Sequence, residues 1–312
     1  MHAAVLREIG GTLEFAEMAD PVAQGDEVLV DITHASVNPL DIWITRGAPG
    51  AAAANLPWIP GSEAVGLLDG RLVLVRGVGL GIIRPGLFAT KVAAPREAVT
   101  ELPEGTDPAA AAAIGVAAVT AWGCVHTLGQ CSADDRVLVL GASGGVGSLS
   151  VQLARATGAT VWGQTTSADK VAGITALGAQ QVVVADDSQL VAAVAELQPT
   201  LVIDGLGGRF TTASVEALQA RGRLVLYGAS ASDDIPLSSR TFYRKGLTLL
   251  GYTGLLATPE EQLEVFPRLL KMVRTGELLV PTELVPLSQA ADAFARILDR
   301  KVEGKLILDT SR

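Results

Sequence analysis

The sequence predicts an α/β chain of two domains, one β-rich and one built on a doubly wound parallel sheet. Three observations carry that expectation. The chain has 312 residues, more than one core usually holds. Hydrophobic residues make up 49% and charged residues 18%, so large cores rich in Ala, Val, Leu and Gly can form, as parallel sheets require. Near residue 117 the texture changes from short strands between Gly and Pro turns to a strict alternation of strand and helix.

Residues 1 to about 116 read mostly as β structure. Ala3–Leu6, Glu27–Ile32, Arg71–Val75 and Phe88–Val92 are strand candidates, separated by turns at Gly61, Gly70, Gly77, Gly79, Gly81, Pro85 and Gly86. Ala51–Ala54 reads as an irregular surface loop. Ala109–Ala113 follows Pro108 and opens a helix, with Thr106 or Asp107 as its cap. The alternating region supplies strands Val137–Leu140, Thr160–Gln164, Gln181–Val184, Leu201–Asp204, Leu224–Tyr227 and Leu247–Leu250, with helices between them. After Gly251 come a helix over Pro259–Thr275, a break at Pro281, a helix over Ser288–Arg300 and a strand at Lys305–Leu308. That tail is too short to fold alone. The expected division is therefore 1–116 with 251–312 as one domain, and 117–250 inserted into it as the other.

Composition excludes some classes. The net charge of −9 argues against nucleic acid or an anionic membrane as main partner. No run of about 18 apolar residues is present to span a bilayer, and no secretory signal is visible. Only two cysteines occur, Cys124 and Cys131. The expectation is a cytoplasmic protein with reduced thiols.

The most specific stretch is Arg136–Gly158, RVLVLGASGGVGSLSVQLARATG. An apolar strand feeds the turn Gly141-Ala142-Ser143-Gly144-Gly145-Val146-Gly147, which opens an apolar-periodic helix ending at Gly158. Free N–H groups and the partial positive charge of such a helix N-terminus suit a dinucleotide pyrophosphate, and glycines let it approach. The expected cofactor is a nicotinamide dinucleotide. An acid closing the second strand usually grips the ribose 2′-hydroxyl, and here Gln164 and Thr165 stand there instead. The next turn is Thr166-Ser167-Ala168-Asp169-Lys170. Ser167 offers a hydrogen bond and Lys170 a charge to a 2′-phosphate, which points to NADPH. Asp169, in the same turn, opposes that reading or serves as first-turn dipole compensation.

With these residues in place, the chain resembles the zinc-independent quinone oxidoreductase (zeta-crystallin-like) branch of the medium-chain dehydrogenase/reductase superfamily. The resemblance spans nearly the whole length. It rests on Val37-Asn38-Pro39-Leu40-Asp41, Pro60-Gly61-Ser62-Glu63-Ala64-Val65-Gly66 and Thr120-Ala121, then on Ala142-x-Gly144-x-x-Gly147. Later come the strand segments Leu201–Gly208 and Gly222–Gly228, and the closing Gly304-Lys305-Leu306-Ile307-Leu308. It implies a GroES-like, β-rich catalytic domain joined to a Rossmann-type domain, with NADPH in the cleft between them. Hydride would pass to a small-molecule quinone or enone (an α,β-unsaturated carbonyl), in a subunit of a family that commonly forms homodimers or tetramers, with a homodimer expected here.

Three departures stand out. Zinc relatives carry Cys where Asn38 stands and His where Ser62 stands, and neither replacement is a good ligand for an open Zn²⁺ site. The stretch Gly66–Val92 is shorter than in relatives. Ala185 replaces the tyrosine that packs on the adenosine ribose.

By that resemblance Asn38, Asp41 and Ser62 are the candidate catalytic residues. Asn38 or Ser62 would bond the developing oxyanion. The other reading of Asn38 and Asp41 is that they cap a helix starting at Pro39. Trp43 is a pocket wall or a core residue. Thr120, Tyr252 and the small residues Gly228, Ala229 and Ser230 would hold the nicotinamide end; Thr120 can equally be a buried helix threonine. His2, His34 and His126 suggest no catalytic triad. No proton donor stands out. Two other functions remain open at this point: an enoyl-thioester reductase, disfavoured because no tyrosine precedes Tyr227, and an NADPH-binding protein without turnover.

Overall fold

The computed structural model describes residues 1–48, 55–256 and 259–311. The loop expected at Ala51–Ala54 lies outside them. The chain divides into two compact units, 1–116 with 280–312, and 117–279.

The first unit begins with an antiparallel ribbon of β1 (His2–Val5) and β2 (Glu14–Glu17). Its main sheet is built on β3 (Glu27–Ser36), a ten-residue strand with β4 (Glu63–Leu68) antiparallel beside it. A register shift between Ile32 and His34 bends β3 there. Helix α1 (Pro39–Thr45) follows β3 directly. Pro39 fixes its first turn, and the Asp41 carboxylate accepts the Asn38 N–H at 2.7 Å. The sheet continues through β5 (Arg71–Arg76), β6 (Lys91–Pro95), which pairs with β3, and β7 (Val99–Glu101). Phe88 and Ala89, expected in a strand, instead bridge back to the N-terminal segment, where Ala4 donates to the Phe88 carbonyl. Helix α2 (Pro108–Ile114) is capped by Asp107, whose side chain accepts from Ala110 N–H at 3.0 Å.

In the second unit α3 (Ala117–Trp122) runs into a π-helical turn over Gly123–Leu128. Strands β8 (Arg136–Val139), β9 (Thr160–Thr165), β10 (Gln181–Val184), β11 (Leu201–Asp204), β12 (Arg223–Leu226) and β13 (Thr248–Gly251) follow. They form one parallel sheet in the order β10-β9-β8-β11-β12-β13, the arrangement that places a crevice at the carboxyl ends of the central strands. The intervening helices are α4 (Gly145–Ala156), α5 (Val171–Ala176), α6 (Leu190–Ala193), α7 (Gly208–Ala217) and α8 (Ser239–Lys245). Leu138, Val202 and Leu224, buried on the sheet, pack with Leu190, Phe210 and Leu218 from the helices.

The expected return to the first domain at residue 251 is corrected to residue 280. Helix α9 (Pro259–Thr275) packs on α3 and stays with the second unit. Gln152 of α4 fixes the end of that excursion: its side chain both donates to and accepts from the Leu279 backbone at 2.8 Å. Only then do β14 (Thr282–Pro286), α10 (Ala290–Leu298) and β15 (Lys305–Asp309) complete the first unit. β15 is buried along its whole length and lies antiparallel to the end of β3. That pairing brings Lys305 to the turn between β3 and α1.

Candidate active site

The first unit gathers Asn38, Asp41 and Ser62 around a buried polar cluster. Asn38 follows β3 by two residues and caps α1, Asp41 lies in the first turn of α1, and Ser62 precedes β4. All three are nearly inaccessible. Two residues join them that sequence reasoning passed over as functional groups, Glu63 and Lys305. Lys305 Nζ donates to Asn38 Oδ1 at 2.5 Å and to the Val37 carbonyl at 3.1 Å. Asn38 Nδ2 donates to Glu63 Oε1 at 2.9 Å, and the other Glu63 oxygen accepts the Val116 N–H at 2.6 Å. Lys305 Nζ also lies 3.7 Å from Glu63 Oε1, with 4% and 0% of the two side chains exposed. Burial pulls the Lys305 ammonium below its ordinary range, while Glu63 and Asp41 draw it back. The Asn38 amide is therefore the bridge of a buried ion pair, with its oxygen held by a cation and its nitrogen by a carboxylate.

Asp41 is different. Burial raises its carboxyl to about 7, against the Asn38 N–H, the Ser62 hydroxyl and Lys305, which favour the charged form. Its Oδ2 holds the Asn38 N–H, but its Oδ1 is buried with no hydrogen-bond partner among the described residues. The Ser62 hydroxyl lies near, yet Ser62 Oγ also completes no hydrogen bond, and Ser36 Oγ is a third such atom. Trp43 is 53% exposed, which removes the core reading. His34 is half-buried on β3 and burial holds its imidazole below the usual value. Cys124 is buried and its thiol is pushed upward. No group of three or more His, Cys, Asp or Glu side chains that could hold a metal gathers among the described residues.

The second unit gathers the residues expected to hold a cofactor. After β8, Gly141 turns at φ +59° and Gly144 caps α4. The amides of Gly145, Val146 and Gly147 open the helix and have no intrahelical acceptor. A Cβ on Gly147 would stand 2.3 Å from the Gly141 carbonyl oxygen, so only glycine lets the turn close this tightly. Ala142 is buried and its N–H donates to the Gln164 carbonyl at 2.9 Å; Ser143 is half-buried. Gln164, met in the sequence only as the absence of an acid, has a structural task. Its side chain accepts the Gly141 N–H at 3.0 Å and donates to the Ala185 carbonyl at 2.7 Å, lacing the turn to β9 and β10.

At the end of β9, Thr166 is exposed and Ser167 N–H donates to Thr165 Oγ1 at 3.2 Å. The Ser167 hydroxyl donates to Asp169 Oδ1, and that bond holds the Asp169 carboxyl below the usual range. Lys170, half-buried, leads into α5. After β12, Gly228 lies with its Cβ position 3.0 Å from the Gly205 carbonyl. Ala229 is exposed, and Ser230 bonds the same carbonyl through its N–H (3.2 Å) and hydroxyl (3.0 Å). Tyr252 follows β13 and its hydroxyl donates to the Val119 carbonyl at 3.4 Å. Its ring leaves no room for a side chain at Gly123, one helical turn from Thr120. Tyr252 and Thr120 are thus brought to the same helix. A cavity of about 560 Å³ opens beside this end of the sheet, lined by Arg209, Ala231, Ser232 and Pro236 among others; none of the expected cofactor residues lines it.

Comparison with known proteins fits this geometry. Residues 145–273 match the family model described as "Zinc-binding dehydrogenase". The quinone oxidoreductase of Thermus thermophilus, whose structure was solved alone and with NADPH, is 31% identical, with 99% of this chain and 100% of that one covered and a TM-score of 0.85. The chain belongs to the medium-chain dehydrogenase/reductase superfamily, in its quinone oxidoreductase-like branch. Within the superfamily it is also similar to the putative quinone oxidoreductase YhfP of Bacillus subtilis (strain 168), at 25% identity over 91% of this chain and 90% of that protein. The probable acrylyl-CoA reductase AcuI of Escherichia coli (strain K12) is 26% identical over 99% of each. The family model's match lies wholly within the second unit, outside the Asn38–Lys305 cluster. Among the described residues, no single helix is long and apolar enough to cross a membrane.

A signal for Lys305 and Glu63 was present in the sequence. Both sit in segments that carry the family resemblance, at Gly304-Lys305 and Ser62-Glu63. A lysine and a glutamate inside otherwise apolar strands are expensive unless paired, and that cost pointed to each other as partners.

Proposed function

We propose that this chain is an NADPH-dependent reductase that adds hydride to a quinone or an α,β-unsaturated carbonyl without a catalytic metal. The observation that carries the reading is the cradle at 141–147, where helix-opening amides face a turn that only glycine can form. Those amides would hold the pyrophosphate, and Ser167 and Lys170 would meet the 2′-phosphate. Gly228, Ala229, Ser230, Thr120 and Tyr252 would position the nicotinamide end. The relative from Thermus thermophilus, solved with NADPH, supports the cofactor. When bound, NADPH supplies the hydride.

The chain's residues then supply orientation, worth of order 7–11 kcal/mol in the best intramolecular cases, and a donor for the oxyanion. With the Asn38 amide occupied by Lys305 and Glu63, that donor is the Ser62 hydroxyl. The metal-free reading rests on the donor set: at the positions where zinc relatives carry ligands stand an amide locked between two charges and a hydroxyl. A second reading, an enoyl-thioester reductase, is favoured by the similarity to acrylyl-CoA reductase AcuI.

Steady-state oxidation of NADPH or NADH, followed by absorbance against a panel of quinones, enones and an acrylyl thioester, tests the function. NADPH consumption with at least one acceptor class is expected. Tight NADPH binding with no turnover on any of them would turn the reading into that of a binding protein. In the same assay Lys170→Ala is expected to raise KM for NADPH about tenfold and leave NADH nearly unchanged. Equal effects on both cofactors would remove Lys170 from the 2′-phosphate site.

A further inference from the structure

Two tyrosines of the second unit stand at the carboxyl end of the parallel sheet, and their hydroxyls differ. Tyr252 is anchored: its hydroxyl donates to the Val119 carbonyl at 3.4 Å, and its ring fills the space at Gly123. Tyr227 is placed as firmly, yet its hydroxyl bonds nothing among the described residues. It follows β12, and its N–H donates to the Asp204 carbonyl at 2.9 Å, which sets it beside the end of β11. Its ring lies over Gly205, where an added Cβ would stand 2.4 Å from both Cζ and Oη. Gly205 is itself tied down, because Ser230 bonds its carbonyl through N–H and hydroxyl. The main chain therefore fixes where the phenol stands, and a glycine is what admits it.

Tyr227 is half-buried. Burial pushes its phenol above the usual range, and Cys124 and Asp204 act in the same direction. The group is a neutral O–H donor. The Asp204 carboxylate does not take its hydrogen, since it already accepts from the Leu206 and Gly207 N–H groups and the Thr211 hydroxyl. A half-buried donor left without an acceptor is costly. This one stands among the residues expected at the nicotinamide end: Gly228 follows it in the chain, and Cys124 lies one helical turn from Thr120.

Resting on the reductase reading above, we propose that Tyr227 is a cofactor-binding residue whose hydroxyl donates to the carboxamide oxygen of the nicotinamide. The other polar groups of the cofactor fit this donor less well. The ribose hydroxyls carry their own protons, the carboxamide nitrogen is a donor, and the pyrophosphate is met by the cradle at 141–147. The carboxamide oxygen is the strong acceptor left. A bond to it fixes the rotation of the nicotinamide, which is the orientation that hydride transfer requires.

The test is equilibrium binding to the full chain by isothermal titration calorimetry. The ligands are NADPH, its thionicotinamide analogue, and 2′-phospho-ADP-ribose, which lacks the nicotinamide. Tyr227→Phe removes one oxygen and keeps the ring over Gly205. It should raise Kd for NADPH about fivefold. For the thionicotinamide analogue the rise should be less than about twofold, because sulfur accepts weakly. Kd for 2′-phospho-ADP-ribose should not change. Thermal melting should not move either, since the hydroxyl bonds nothing in the fold. An unchanged Kd for NADPH would overturn the assignment. Equal losses for all three ligands would also overturn it, because they would make the hydroxyl a support of the whole site. Both results leave the reductase reading intact. A wild type that binds none of the three would bring down the reductase reading itself.

Discussion

Asp135 and Asp41 are both buried carboxylates, one in each unit, and they have opposite surroundings. Asp135 sits just before β8 and is saturated. It accepts from the Ser132 N–H and hydroxyl, from Thr200 Oγ1 at 2.7 Å and from Arg223 Nη1 and Nη2 at 3.0 and 2.8 Å. Burial works against its charge, yet those donors hold it at about 2. Asp41 has one good donor, and burial wins, at about 7. Asp135 ties β8 to β11 and β12 at the amino end of the parallel sheet. Asp41 Oδ1 and the Ser62 hydroxyl near it complete no hydrogen bond among the described residues. A saturated buried acid is architecture; a starved one is a candidate for chemistry.

The largest test of that contrast is a third buried charge, Lys305. It holds Asn38 and offsets Glu63, so it belongs with the saturated class. Lys305→Met removes the cation beside the buried Glu63 carboxylate, which keeps its bonds to Asn38 and the Val116 N–H. The expected loss is about 3–5 kcal/mol in denaturant unfolding. A loss below about 1 kcal/mol would mean that Glu63 takes up a proton at little cost, and the saturated class would have to exclude it.

The two aspartates should respond to pH in opposite senses. A folded value near 2 against 3.8 unfolded means that Asp135 stabilises the fold above about pH 4, and that this is lost as pH falls through about 2. A folded value near 7 means that Asp41 binds a proton more tightly in the folded state, so stability declines as pH rises from about 4 to about 7. Asp135→Asn should cost about 2–3 kcal/mol at neutral pH, since Arg223 loses its carboxylate partner and keeps, of its present acceptors, only the Gly129 and Gln130 carbonyls, and flatten the acid limb. Asp41→Asn should flatten the limb between about 4 and about 7. Melting temperatures of the two variants across pH separate these outcomes; an Asp41→Asn profile parallel to the wild type would place the Asp41 proton elsewhere.

The parallel sheet was legible because its strands are short apolar runs bounded by turns: β10 and β11 fall on the expected residues, and β8, β12 and β13 differ by one. The glycine turn was legible because sterics leave few alternatives to Gly141 and Gly147. The GroES-like unit was less so. β4 contains Gly66, and β7 has three residues, so neither has the run of β-formers that marks a strand; pairing with neighbours makes them strands. In the site, Asn38 and Asp41 were named from a local motif, and the local part of their role, the cap on α1, was foreseen as one of two readings. Their partners were not, because Lys305 lies 267 residues from Asn38. No spacing rule reaches that far. Gln164 shows the same limit: reading it as a missing acid left unseen the two backbone bonds it makes.

The smallest expected effect concerns a third aspartate, fully exposed. Asp169 shares its turn with Ser167 and Lys170, and the Ser167 hydroxyl donates to it. In that state Ser167 offers its oxygen rather than its hydrogen to a phosphate, and the carboxylate repels one. Asp169→Asn removes the charge and weakens the hold on Ser167. Because the site is exposed, solvent screens the change. KM for NADPH should fall only about threefold, with NADH little altered. This sharpens the comparison from its far end, since a carboxylate in water is expected to tune specificity while leaving thermal stability unmoved. A rise in KM for NADPH on this substitution would show that Asp169 orients Ser167 toward the cofactor, and would move it from the opposing charges into the binding set.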